Sequence, residues 1–500
     1  MDPLHQIIQS LNKAEKRYFR LFSTSFKSDS DILKLYDVLE DLPEYDEEVV
    51  KKRSGIKNLT ASKSQLRRLL LKAMRNYREE DNVADRVRCA LSEIEFLTNK
   101  NLKVEARKEI NKLQKIAVDY EINYALAELS VRSVMNAEAE KDREKFFAFF
   151  AQKRKDLEEG ARGMIEYYEA TIFHTMVIRY ANLFDYENPA LRKETVDGFR
   201  QKAEQKLAEV KSVRAKCFYL GVLADYYYNT ADEENTLKQH QAILDLFDED
   251  PSLYESPKTF YFTQLSNYIV SALKFERFEL VEELLAKIEK WAEGQQEFYK
   301  INPDLESRVK VRILSTRGSL AHMRGDYKGA LLIEKDLDDL LNDEGIVTSA
   351  FNVALIPIMV MRHCATLLMG GYFDKTHYWI ERYYKLPTAK ANKMLYLTVR
   401  ILEVFMYYNQ GELALADTKA TNLYKALMET EVNDPFFKEF GKLLRKLCKW
   451  NFKEEKDRKE CDAIITAIEG QIDNISAAGL FDSVYSLRKW FNDVVNIKGN

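Results

Sequence analysis

Apolar residues recur three and four positions apart along most of the chain, and short polar breaks, not strand-like alternation, separate the runs. Near the start, Tyr18, Phe19, Phe22 and Phe26 share one helical face behind Asn12 and Glu15, the spacing of a capping pair that opens a helix. Leu66, Leu69, Leu70, Ala73 and Tyr77 form the stripe of a second helix, Ser62 to Arg78, with Ser62 and Gln65 placed to cap it. From about residue 82 the breaks fall at Asn99-Lys100-Asn101, Lys141-Asp142, Phe184-Asp185, Asn229-Thr230, Glu276-Arg277, Arg324-Gly325-Asp326, Gly370-Gly371, Gln410-Gly411 and Glu454-Glu455, an interval of about 44 residues. A compact domain has no reason to space its turns evenly, whereas stacked helical hairpins repeat one supersecondary length. Pro251 and Pro257, Pro303, Pro357, Pro387 and Pro435 fall between those breaks, where one hairpin hands over to the next, because proline fits only the first turn of a helix.

Composition narrows the fold class further. The 500 residues include 17 glycines and 9 prolines, about half the usual share. That is too few for the tight turns and phosphate loops of β-rich or Rossmann-like proteins. Residues 318 to 331 place Gly318, Gly325, Asp326, Tyr327 and Ala330 at the spacing of a tetratricopeptide repeat. Weaker echoes are Tyr407, Gly411 and Ala416, then Gly370-Gly371-Tyr372, then Phe278. In this pattern the turn reverses the chain, an aromatic packs back on the first helix, and alanine lets the helices approach. The chain thus resembles tetratricopeptide-like helical repeat proteins of an uncharacterised bacterial type, with a period longer than that family's 34 or so residues. The resemblance implies an all-α fold, a right-handed α-solenoid of about eight or nine stacked hairpins over residues 82–500. Residues 1–81 are expected to form a small helical N-terminal domain or cap.

Catalytic signatures are missing. GxGxxG, GxxxxGK[ST], HExxH and GxSxG do not occur. His363 and Cys364 are neighbours, but adjacent helical positions diverge by about 100° and no second ligand pair lies nearby in sequence. Asp338-Asp339-Leu340-Leu341-Asn342-Asp343 resembles the aspartate-rich magnesium motif of isoprenoid synthases, yet no second such cluster follows it. We therefore expect no catalytic residue, cofactor or metal. The first 20 residues lack the succession of a secretory signal, and the longest apolar run, Val353 to Met361, is too short to span a bilayer. Five cysteines without CxxC spacing fit a reducing compartment, so a cytoplasmic location is expected.

Lys+Arg 76 against Asp+Glu 80 produces no global pull toward nucleic acid or membrane. Locally, Val49 to Arg78 contains no Asp or Glu and ten basic residues. Lys63, Arg67, Arg68, Lys72 and Arg75 are the candidate contacts for an anionic partner. Three readings of this run stand: neutralisation by the acidic stretch Asp37 to Glu48, an acidic protein partner, or nucleic acid. For the repeats, the resemblance puts Arg312, Ser315, Ser319 and His322 on the groove side of one first helix. The same register offers Thr398, Phe405, Tyr408 and Asn409 on another. The expected function is a non-catalytic scaffold or adaptor holding a peptide or partner protein on a concave helical face. The alternative is a repeat-containing regulator whose basic N-terminal domain contacts nucleic acid.

Overall fold

Single left-handed residues at helix ends organise the chain. The computed structural model describes residues 2–25, 30–79, 82–138, 141–183, 189–250, 258–349, 352–428, 435–470 and 485–498, and among them every regular element is helical and none is a strand. Helix Val83–Asn99 ends in a turn where Asn101 takes φ 58° and Leu102 N donates to Leu97 O over 2.9 Å. This six-to-one bond satisfies a carbonyl that the last helical turn leaves open. The same pairing of a left-handed residue with a six-to-one bond recurs six more times. The residues are Glu121, Ala231, Glu276, Gly325, Gly371 and Gly411, and the bonds run from Ile122, Asp232, Arg277, Asp326, Tyr372 and Glu412. From Ala231 to Gly411 these turns lie 40 to 49 residues apart.

The contacts between hairpins keep the same spacing. Lys274 Nζ donates to Tyr228 O, 46 residues back, and Arg277 pairs with Glu233, 44 back. In the second half Arg362 bonds Ser319 (43), His322 bonds Thr366 (44), Asn352 bonds Ser307 (45) and Trp379 bonds Glu334 (45). The interval read from the breaks recurs in these contacts, but before Ala231 the left-handed turns depart from it, with Asn101, Glu121 and Ala231 lying 20 and 110 residues apart.

The chain divides into two compact units, Met1–Leu305 and Glu306–Asn500. The first unit opens with a cluster built on Phe19, Leu35, Tyr36, Leu66 and Leu70, followed by a separate one on Val87, Ile94, Ile110 and Leu129. Asn12 and Glu15 form their capping pair, with Glu15 N on Asn12 Oδ1 at 2.9 Å and Asn12 N on Glu15 Oε2 at 3.0 Å. In the second unit, helix Leu355–Met369 carries eleven buried residues and packs against helices Phe373–Tyr384 and Lys393–Gln410 in one continuous core. Among the described residues no helix is long and apolar enough to cross a membrane.

Several sequence expectations shift. Helix Leu59–Glu79 starts three residues before Ser62, because Asn58 Oδ1 accepts Ala61 N and makes the cap. A turn at Tyr120-Glu121, absent from the sequence reading, separates helix Lys103–Asp119 from Asn123–Met135. Glu121 carries no turn signature; its carboxylate is fixed by accepting Val213 N at 2.8 Å and Arg214 N at 3.0 Å, which caps helix Val213–Asn229. Helix Arg143–Leu183 then runs 41 residues. Helix Asn123–Met135 crosses it at Gly160, where a Cβ would stand 2.7 Å from Ala127 N. The break at Phe184-Asp185, Pro251, Pro257 and Phe26 lie outside the described residues.

A non-glycine residue in the left-handed region is strained by about 1 kcal/mol or more. Glu276→Gly is therefore expected to stabilise the chain by about 0.5–1 kcal/mol. Gly411→Ala is expected to cost about 1 kcal/mol, for conformational reasons alone, since a Cβ there meets nothing within 4 Å. Urea denaturation of the two variants checks both signs.

Candidate partner-binding surfaces

The N-terminal basic run separates into two groups. Lys63 is neutralised internally: its Nζ lies 2.5 Å from Asp2 Oδ2 and 2.5 Å from Tyr45 Oη, and it sits over the Tyr45 ring. Burial opposes its charge, but those bonds leave its pKa raised. The acidic stretch is taken by other cations, Asp37 and Glu40 by Arg20, Asp41 by Arg53, and Glu47 and Glu48 by Lys51. Arg67, Arg68, Lys72 and Arg75 are exposed on helix Leu59–Glu79, opposite Leu66, Leu70 and Ala73, with Arg68, Lys72 and Arg75 four and three positions apart on one face. Among the described residues Arg67, Arg68 and Arg75 have no carboxylate partner. These side chains surround Leu71, itself 47% exposed.

A second surface lies on helix Arg143–Leu183. One face packs on helices Asn123–Met135 and Val213–Asn229 through Gly160, Ala170 and Phe173. The other leaves Ile165 54%, Tyr168 48%, Ile172 69% and Met176 43% exposed. These four positions recur at helical spacing and form one apolar stripe. Toward the start of the same helix, Phe146, Phe149 and Phe150 line a cavity of about 420 Å³ with Arg107, Asn111 and Lys153.

In the second unit the eight groove candidates fall into two places. Ser319 Oγ accepts Arg362 Nη1 at 2.6 Å, His322 Nδ1 lies 2.9 Å from Thr366 Oγ1, and both residues are buried. Arg312 and Ser315 lie half-buried beside them, and burial, with the charge of Arg308, lowers the pKa of Arg312. Thr398 is buried and turned onto its own helix, donating to Met394 O. Phe405 and Tyr408 are buried, and Asn409 is partly exposed. These three do not line an open groove, because the chain's own helix Leu487–Lys498 lies on them. Trp490 meets Phe405 edge-on at 4.8 Å and Tyr408 at 5.8 Å, and its Nε1 donates to Asn409 Oδ1 at 3.0 Å.

Members of the near-catalytic motifs have partners within the fold. Asp338 pairs with Arg382 at 2.9 Å and accepts Tyr378 Oη at 2.9 Å, while Asp343 caps the next helix through Gly345 N and Ile346 N. Cys364 is fully buried, which pushes its thiol up, and His363 stacks edge-on against Trp379 at 4.9 Å. Among the described residues no three His, Cys, Asp or Glu side chains converge as metal ligands.

Two of these surfaces escaped the sequence reading. The stripe from Ile165 to Met176 has the same three-and-four spacing as a core face, and spacing does not tell a covered face from an open one. Trp490 sits in an ordinary amphipathic stretch, Leu487-Arg488-Lys489-Trp490-Phe491; its rarity, one of 4 tryptophans, was the only available signal. Comparison of the chain with protein-family models, curated proteins and solved structures finds no match.

One charged contact in the second unit gives a pH signature. Glu334 accepts Trp379 Nε1 and Lys375 Nζ, each at 2.8 Å, and His363 Nε2 stands 3.9 Å away. Burial alone would raise this carboxyl, but the contacts with His363, Lys375 and Trp379 prevail and bring its pKa down to about 2. A carboxylate held below its unfolded value contributes stability that is complete above that value and is lost as pH falls through the folded one. Between about pH 5 and pH 2 the melting temperature of the native chain is expected to fall more steeply than that of Glu334→Gln, as followed by circular dichroism.

Proposed function

We propose that the chain is a non-catalytic, cytoplasmic scaffold or adaptor that binds a partner protein or peptide, each unit stacking its hairpins as a tetratricopeptide-like solenoid. The observation that carries this reading is the open stripe of Ile165, Tyr168, Ile172 and Met176. Four large apolar side chains on one helix face, opposite the face buried through Gly160, Ala170 and Phe173, mark a surface that gains stability when covered. The turn interval and the bonds 43 to 46 residues apart support repeat stacking. The free thiols support a reducing setting.

The test is affinity capture from native lysate with the tagged full chain and with its Ile165→Asp, Ile172→Asp double variant. Both positions are exposed, so the variant is expected to keep its far-ultraviolet spectrum while recovery of a stoichiometric partner falls at least about tenfold. Equal recovery from both proteins rejects the stripe as the seat of binding.

A regulator that contacts nucleic acid is the second reading, favoured by the exposed Arg67, Arg68 and Arg75, which have no carboxylate partner among the described residues. If these residues hold phosphates, retention on nucleic acid falls steeply with added salt, and Arg67→Glu with Arg68→Glu abolishes it. Salt-independent elution free of nucleic acid leaves the scaffold reading alone.

A further inference from the structure

The helix lying on Phe405, Tyr408 and Asn409 is placed as a ligand would be. It spans Leu487–Lys498 and follows helix Glu455–Glu469 in sequence. Its contacts reach side chains from three hairpins of the second unit. Arg488 bonds Glu469 and Thr466 and pairs with Asp462 on the last of them. Trp490 sits on Phe405 and Tyr408 and bonds Asn409. Lys489 Nζ reaches Tyr327 Oη at 3.3 Å, 162 residues away in sequence. Leu487, Trp490 and Phe491 are at most 8% exposed.

The fit is nevertheless incomplete. Alongside Trp490 a half-open cleft of about 280 Å³ remains, bounded by Leu368, Met369, Phe373 and Tyr408. Two features therefore meet here: recognition chemistry specific enough to hold an indole by its N–H and by two aromatic faces, and room for a larger apolar side chain.

We propose that this groove is a helix-binding site whose resident occupant is the chain's own C-terminal helix. The external occupant it fits is an amphipathic helix of a partner protein that carries a tryptophan next to a second bulky aromatic, with an arginine two residues before the tryptophan. Asn409 receives the indole N–H, Phe405 and Tyr408 receive the ring, and Asp462 with Glu469 receives the arginine. The own helix and the partner's helix exclude each other, so the free chain keeps this surface covered. The proposal rests on the protein-binding reading in that a partner exists to displace the helix, but the selectivity of the groove is measurable without it.

The probe is a fluorescently labelled synthetic peptide of residues 485–500, titrated by anisotropy against the full chain and two full-chain variants. Trp490→Ala removes the anchor of the resident helix, and Arg488→Glu sets a carboxylate against Asp462 and Glu469 without touching the core. Neither alters the groove itself. Both variants are expected to bind the native-sequence peptide at least about tenfold more tightly than the unmodified chain. Adding Asn409→Ala to the Arg488→Glu chain is expected to weaken binding again. Peptide affinity that is no higher in Arg488→Glu than in the unmodified chain, or that is indifferent to Asn409, overturns the proposal. Because the peptide never contacts the stripe on helix Arg143–Leu183, that result leaves the scaffold reading standing.

Discussion

Reversal of the chain by one left-handed residue at seven helix-to-helix turns is the constraint on which the rest depends. Two helices can pack side by side only if the link between them is short, and a short link is satisfied only if the last turn's carbonyls find donors. The six-to-one bond supplies a donor, and it requires φ near +60° at the preceding residue. Glycine meets this requirement without strain at Gly325, Gly371 and Gly411. Asn101, Glu121, Ala231 and Glu276 meet it at some cost, offset by the helix packing on either side. Because the turns from Ala231 to Gly411 return at a near-constant interval, equivalent side chains of neighbouring hairpins face one another, and their hydrogen bonds follow the same count.

That constraint also decides what is readable in the sequence. Where glycine marks the left-handed position, as in Arg324-Gly325-Asp326 and Gly370-Gly371, turn and interval are plain, and the all-helical architecture follows from them. Glu121 shows the limit. Its turn depends on two backbone N–H groups 92 and 93 residues away, which no local pattern reports. The start of the basic helix at Leu59 was misplaced because Asn58, not Ser62, accepts the N–H that opens it. The groove positions were legible as a register, since Phe405, Tyr408 and Asn409 do lie together on one helix face. Their cover was not, because it comes from a segment about 80 residues later.

The candidate surfaces share a physical theme, the separation of a side chain's type from its state of cover. Lys63 and Arg67 belong to one basic run, yet Lys63 is locked onto Asp2 while Arg67 stands open. Phe405 and Ile172 are both large apolar residues at helical spacing, yet one is buried under Trp490 and the other has most of its surface in water. Function in a scaffold lies in this distinction, because a partner can use only what the fold leaves exposed or can release. The structure holds examples of each: an open apolar stripe, an open cationic row, and a groove under a tethered helix.

Hydroxyl-radical footprinting of the full chain, alone and saturated with its captured partner, measures cover of that kind directly at the side chains. A marked fall in the oxidation rates of Met176 and Tyr168 on partner binding is the expected result, because both are exposed, reactive and on the stripe. Unchanged rates at both residues, with protection confined to other parts of the chain, would contradict a partner seat on helix Arg143–Leu183.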